Sequence, residues 1–83
     1  MNTTGNQKFR PLTNEMEALG NNIRRCRRRI GFTQQQLGQM VGYDWPKQIY
    51  MIEKGRSTPS IIMVLRMCKV LGASADELLR GIE

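Results

Sequence analysis

Apolar residues recur along most of this chain at spacings of three and four, the period of a helix with one buried face. Leu19, Ile23, Cys26 and Ile30 mark a first helix, predicted to begin near Asn14 with Asn14 and Glu17 as a capping pair and Gly31 as its stop. A second helix opens on a Thr33–Gln36 capping box, carries Leu37, Met40 and Val41 on one face, and closes at Gly42. Gly38 inside that helix is unfavourable by itself, which predicts a close crossing by a neighbouring helix. Pro46 suits the first position of a third helix, capped by Asp44 or Trp45, with Ile49 and Ile52 inward and Gly55 as its end. Residues 56–59 read as a loop. A fourth helix is predicted from about Ser60 to Leu71, with Ile61, Val64, Cys68 and Leu71 inward. Ser74 with Glu77 caps a short fifth helix carrying Leu78 and Leu79. No window sustains the alternation of a strand, so the predicted class is all-α, with five short helices.

Residues 1–13 show no such period. They are predicted to be a flexible arm, with Lys8 and Arg10 available to an anionic partner, ahead of a single domain over residues 14–83. Eighty-three residues support one small core and leave little room for a deep cleft. The longest wholly apolar stretch runs only from Ile61 to Leu65, so nothing spans a membrane, and the polar beginning carries no secretory signal.

The chemistry available is narrow. The chain has no histidine, no phosphate-cradling glycine motif and no paired carboxylates beyond Asp76-Glu77, which argues against an enzyme, a bound metal or a cofactor. Cys26 and Cys68 lie far apart, inside predicted helices, and read as buried thiols in a reducing cytoplasm. Six methionines in so short a chain read as adaptable core filling.

Charge then changes the picture. Thirteen Lys/Arg against seven Asp/Glu give a net charge of +6, an attraction for phosphate. Two short helices joined by a tight turn within a basic all-α domain point to a DNA-binding helix-turn-helix. The wording goes further. Leu19-Gly20, Ile23-Arg24, Arg27 and Gly31-Phe32-Thr33-Gln34-Gln35-Gln36-Leu37 resemble the opening of the phage repressor/Cro (Xre-like) family. The likeness continues through Ile52-Glu53-Lys54-Gly55-Arg56, Pro59-Ser60, Leu71-Gly72 and Ser74 to Glu77-Leu78-Leu79.

That resemblance implies a five-helix, repressor-like helix-turn-helix domain whose third helix enters the major groove while the second crosses the backbone. It implies that Gln34 holds a phosphate, that Pro46, Lys47 and Met51 occupy base-reading positions with Gln48 beside them, and that Lys54 and Arg56 meet the backbone. It also implies a partly buried ion pair, Arg27 with Glu53. Independently, the start of the second helix offers free N–H groups and partial positive charge, with Thr33, Gln34 and Gln35 around it. Lys47 can donate to guanine, Gln48 can pair with adenine if it faces the groove, and Met51 can make only apolar contacts.

Other residues carry two readings. Trp45 either stacks on DNA or packs its ring over the domain edge, the plainer option. Tyr43 and Tyr50 are half-buried rings first and phosphate-contacting hydroxyls second. The run Arg24-Arg25-Cys26-Arg27-Arg28-Arg29 points in several directions around a helix, so a solvated face plus one ion pair at Arg27 accounts for most of it, with contact of one or two arginines to DNA phosphate as the second reading. Ile62, Met63 and Val70 lie off the predicted core face and form a dimer or partner surface.

The predicted function is a sequence-specific transcription regulator in the cytoplasm, most simply a repressor that binds double-stranded DNA as a homodimer on a palindromic operator. The alternative is a protein-interaction module, or an antitoxin-like protein that binds a protein partner. Trp45-Pro46, Met51 and a turn one residue longer than usual before the third helix motivate it.

Overall fold

The first helix, α1 (Thr13–Ile30), takes in Thr13, so Asn14 falls inside its first turn and is not its cap. The computed structural model describes residues 13–82, and the N-terminal arm with Lys8 and Arg10 lies outside the described residues. Four further helices follow: α2 (Gln34–Val41), α3 (Gln48–Glu53), α4 (Ile61–Leu71) and α5 (Ala75–Leu78). Among the described residues all regular structure is helical. No helix among the described residues is long and apolar enough to cross a membrane.

One core joins all five helices. Leu19, Ile23 and Cys26 of α1 meet Leu37 and Val41, Ile49 and Ile52, Val64, Met67 and Leu71, and Leu78, from the other four in turn. α1 lies across α3, α4 and α5, while α2 packs on α3 and α4. Asn22, buried in α1, donates its amide to the Leu78 and Arg80 carbonyls at 2.8 and 2.9 Å. Those bonds fasten the end of the chain to the first helix and satisfy carbonyls that the short α5 leaves open.

The capping predictions hold where a Ser or Thr leads the helix. Thr33 accepts from the Gln36 N–H while the Gln36 side chain accepts from the Thr33 N–H, a complete box. Ser60 and Ser74 cap α4 and α5 by accepting from the N–H three residues on, without the return bond; the Glu77 side chain accepts from Arg29 and so does not complete the predicted box. Three apolar predictions fail, each for a geometric reason. Ile30 has the right helical angle, but the core ends a turn earlier and Phe32 covers that edge. Met40 is exposed because the buried arc of α2 is centred between Leu37, Gly38 and Val41. Ile61 is 68% exposed because the buried face of α4 is rotated toward Met67, which is fully enclosed.

The same rotation corrects the predicted partner surface. Met63 and Val70 pack against the core, and of the three residues named only Ile62 is fully on the outside. The apolar residues that α4 exposes are Ile61, Ile62 and Leu65.

Glycine explains how α1 and α3 come so close. A Cβ on Gly20 would lie 2.8 Å from the Glu53 carbonyl oxygen and nearer still to that of Ile52, so only a hydrogen fits there. Gly55, with φ +73°, turns the chain out of α3 against the backbone of Glu17. Gly38, by contrast, leaves ordinary contact distance for a methyl, 3.5 Å to Ile49. The close crossing exists, but at Gly20.

Candidate nucleic-acid interface

The turn between α2 and α3 departs from its prediction. Pro46 does not open α3. It sits one position into a turn closed by the Gln48 N–H donating to the Trp45 carbonyl at 3.1 Å. Lys47 follows with φ −94° and ψ 6°, the backbone of a turn's third position, and supplies no side-chain cap. Pro46 therefore works through its fixed φ in the turn.

A buried ion pair holds the two helices in register. Arg27 of α1 donates from Nε and Nη2 to the two Glu53 carboxylate oxygens at 2.6 and 3.0 Å. Its Nη1 donates to the Phe32 carbonyl at 2.7 Å. Gln34 adds its amide to Glu53 Oε1 at 2.9 Å, so one carboxylate gathers α1, α2 and α3. Arg27 and Glu53 are both nearly excluded from solvent, which makes the bidentate geometry and the extra donors necessary to offset desolvation. The implied pair is thus present. Gln34 keeps one amide hydrogen beyond its bond to Glu53.

With Ile49, Ile52 and Glu53 buried, the outward face of α3 is defined by Tyr50 and by the flanking Lys47 and Lys54, each about one turn from Tyr50. Lys54 Nζ lies 5.7 Å from the centre of the Tyr50 ring. Met51 is half-buried beside this row. Gln48 is half-buried and its amide donates to Ser57 Oγ at 2.9 Å, so it braces the loop after α3. Arg56 is exposed in that loop.

At the start of α2, Thr33 and Gln35 are exposed and Gln34 is half-buried. The capping box occupies the Gln36 N–H and leaves the first two helical N–H groups facing out beside the positive end of the dipole. Two open hollows meet here. One, of about 480 Å³, lies between α1, α2 and α3 and includes Arg24, Arg28, Gln34, Tyr50 and Lys54. The other, of about 320 Å³, is lined by Gln34, Pro46, Lys47 and Tyr50. Shared walls at Gln34 and Tyr50 make them one continuous basic surface.

Trp45 corrects the edge-packing prediction. It is 51% exposed and only borders a small hollow shared with Tyr43 and Gly38. Tyr43 is half-buried, and burial raises its hydroxyl pKa above the ordinary tyrosine range. Tyr50 is exposed, where a half-buried ring was predicted. Sequence did not single out which arginines of the α1 run lie at this surface; they are Arg24 and Arg28. Once Arg27 is fixed on the buried face, its neighbours at −3 and +1 are the arginines that border the groove.

Two short helices joined by a tight turn, the second flanked by exposed Lys47 and Lys54 and braced by a buried Arg–Glu pair, define the helix-turn-helix class. The chain belongs to the HTH_3 helix-turn-helix family, whose model matches residues 23–78. A curated relative, the uncharacterized HTH-type transcriptional regulator YgzD of Bacillus subtilis (strain 168), is 32% identical over 57 residues, covering 69% of this chain and 85% of the relative. Among solved structures, the P22 c2 repressor protein in complex with a synthetic operator matches with TM-score 0.69 and 33% identity, covering 76% of this chain and 94% of that one. The clp gene regulator ClgR of Corynebacterium glutamicum matches with TM-score 0.72 and 31% identity, over 77% of this chain and 67% of its own. These likenesses agree with the phage-repressor resemblance drawn from the motifs.

Proposed function

We propose that this chain is a sequence-specific DNA-binding transcription regulator that represses by occupying an operator. The observation that carries this reading is the single continuous basic surface formed by Lys47, Tyr50 and Lys54 with the start of α2. In it, α3 enters the major groove, Lys47 and Tyr50 face base edges and the thymine methyl surface, and Lys54, Arg56 and the α2 N–H groups hold phosphates. Gln34 presents its second amide hydrogen to a phosphate while Glu53 fixes its orientation. Trp45 and Pro46 stand at the rim of the groove, and Met51 contributes apolar contact from the edge of α3. The chain works without a cofactor and without catalysis, in line with a sequence that has no histidine.

The active species in this reading is a two-fold dimer on a palindromic site, joined through Ile61, Ile62 and Leu65 of α4. Selection from random genomic fragments at several salt concentrations tests the reading. An enriched sequence is expected, with affinity that falls steeply with salt, and Lys47→Ala is expected to weaken binding and relax the preference at one position of each half-site. No enrichment from the wild-type chain refutes operator reading. Leu65→Glu is expected to lower the sedimentation mass, and an unchanged dimer removes α4 from the interface.

A further inference from the structure

The arginine run of α1 separates into engaged and free members. Arg27 is bound to Glu53, Arg29 donates to Glu77 at 2.9 Å, and Arg25 donates to Asn22 Oδ1 at 3.0 Å. Arg24 and Arg28 are exposed and have no hydrogen-bond or ion-pair partner among the described residues. They stand four residues apart, on one face, where like charges oppose helix formation by a few tenths of a kcal/mol. Nothing described inside the molecule offsets that repulsion.

Both residues line two hollows. The larger joins them to Lys54 and Tyr50. A third hollow, of about 330 Å³, continues past them on the outside of α1 toward Asn21 and Arg25. The only carboxylate lining either hollow is Glu53, already matched by Arg27. A strip of uncompensated positive charge therefore leaves the groove at Lys54 and climbs over α1. Four residues advance a helix by about 6 Å, and one DNA strand offers a phosphate for about every 3.4 Å of axis. The advance is close to two phosphate steps, so two guanidinium forks on long stems suit separate phosphates of one strand, each of which takes an arginine in bidentate fashion.

We propose that Arg24 and Arg28, with Lys54 at their inner end, form a clamp for the phosphate backbone of the DNA strand that leaves the recognition groove. The clamp extends the footprint onto α1 and contributes affinity without sequence preference. It rests on the DNA-binding reading above. The test is the salt dependence of binding to the enriched sequence and to a random duplex, for wild type and for the Arg24→Gln/Arg28→Gln double variant.

Two lost phosphate contacts are expected to lower the magnitude of the log K against log salt slope by about 1.8. The ranking of sequences is expected to stay as it was, and the melting temperature to hold or rise. Arg80→Gln, which removes an exposed charge away from the strip, is expected to leave the slope unchanged. An unchanged slope in the double variant, with normal wild-type binding, overturns the clamp alone, as does a changed sequence ranking. A wild-type chain that binds no duplex at any salt overturns the DNA-binding reading and the clamp together. Saturable binding of inorganic pyrophosphate that the double variant loses makes the strip a small-anion site and overturns its assignment to the DNA strand.

Discussion

The two helices of the helix-turn-helix are specified in opposite ways. α2 has its own start and stop: a reciprocal Thr33–Gln36 box, and Gly42, whose N–H donates to the Gly38 carbonyl. α3 has six residues, no side-chain cap at Lys47, and a proline spent in the preceding turn. A helix that short is not stable by itself. It is held from outside, by Ile49 and Ile52 in the core, by Glu53 in the buried pair, and by Gln48 on Ser57. The helix at the candidate interface is thus the one with the least local support, and its position is a property of the whole domain.

That contrast yields an ordered set of predictions. The largest effect falls on the outside support of α3. Glu53→Ala leaves Arg27 buried and unpaired and is expected to destabilise by about 3–5 kcal/mol, read as a fall in denaturation midpoint with DNA affinity lost in parallel. Gly20→Ala drives a methyl into the backbone of α3 and is expected to lower stability by about 1–3 kcal/mol, by the same measurement. If that variant melts like wild type, the tight α1–α3 contact is not what places α3.

Local support gives a smaller loss. Thr33→Ala removes the cap of α2 and is expected to cost about 1 kcal/mol, with Thr33→Ser restoring most of it. Gly38→Ala is expected to raise stability by about 0.5–1 kcal/mol, since the helix favours alanine and Ile49 leaves room for the methyl.

The smallest effect is a pH dependence. The Arg29 guanidinium beside Glu77 lowers its carboxyl pKa below the ordinary value. A depressed carboxylate contributes stability above its unfolded pKa and loses it as pH falls through the folded one. Arg29→Gln is therefore expected to flatten slightly the acid side of the stability profile, below the ordinary carboxylate pKa. An identical profile assigns the exposed pair no measurable role.

The elements that announce themselves in the sequence are those with local chemistry. Thr33, Ser60 and Ser74 are followed three residues later by backbone N–H groups that their hydroxyls reach, so three helix starts were legible to within a residue. The start of α3 was not, because Pro46 suits a first helical turn and the second position of a β-turn equally well, and only the surroundings choose between them. The candidate site shows the same division. Lys47 and Lys54 are marked by spacing from Ile49 and Ile52, whereas nothing near Gln48 in sequence announces Ser57 as its partner.

By itself, then, the sequence determined five helices, the Thr33, Ser60 and Ser74 starts of three of them, and the helix-turn-helix class, while the Arg27–Glu53 pair was implied by the family resemblance of its motifs. The helices and their starts depend on interactions within a turn or on apolar spacing. Which arginines are free, which face of α4 is outside and why position 20 admits only glycine were decided by packing. Arg25 bonds Asn22 three residues back on the same helix, whereas Arg27 and Arg29 are engaged by residues 26 and 48 positions away, pairings that exist only once α1 has docked on its neighbours. The net charge of +6 was visible from the start. Its distribution over the surface, between α1 and α3 and over one edge of α1, is set by the partners that take up the other arginines.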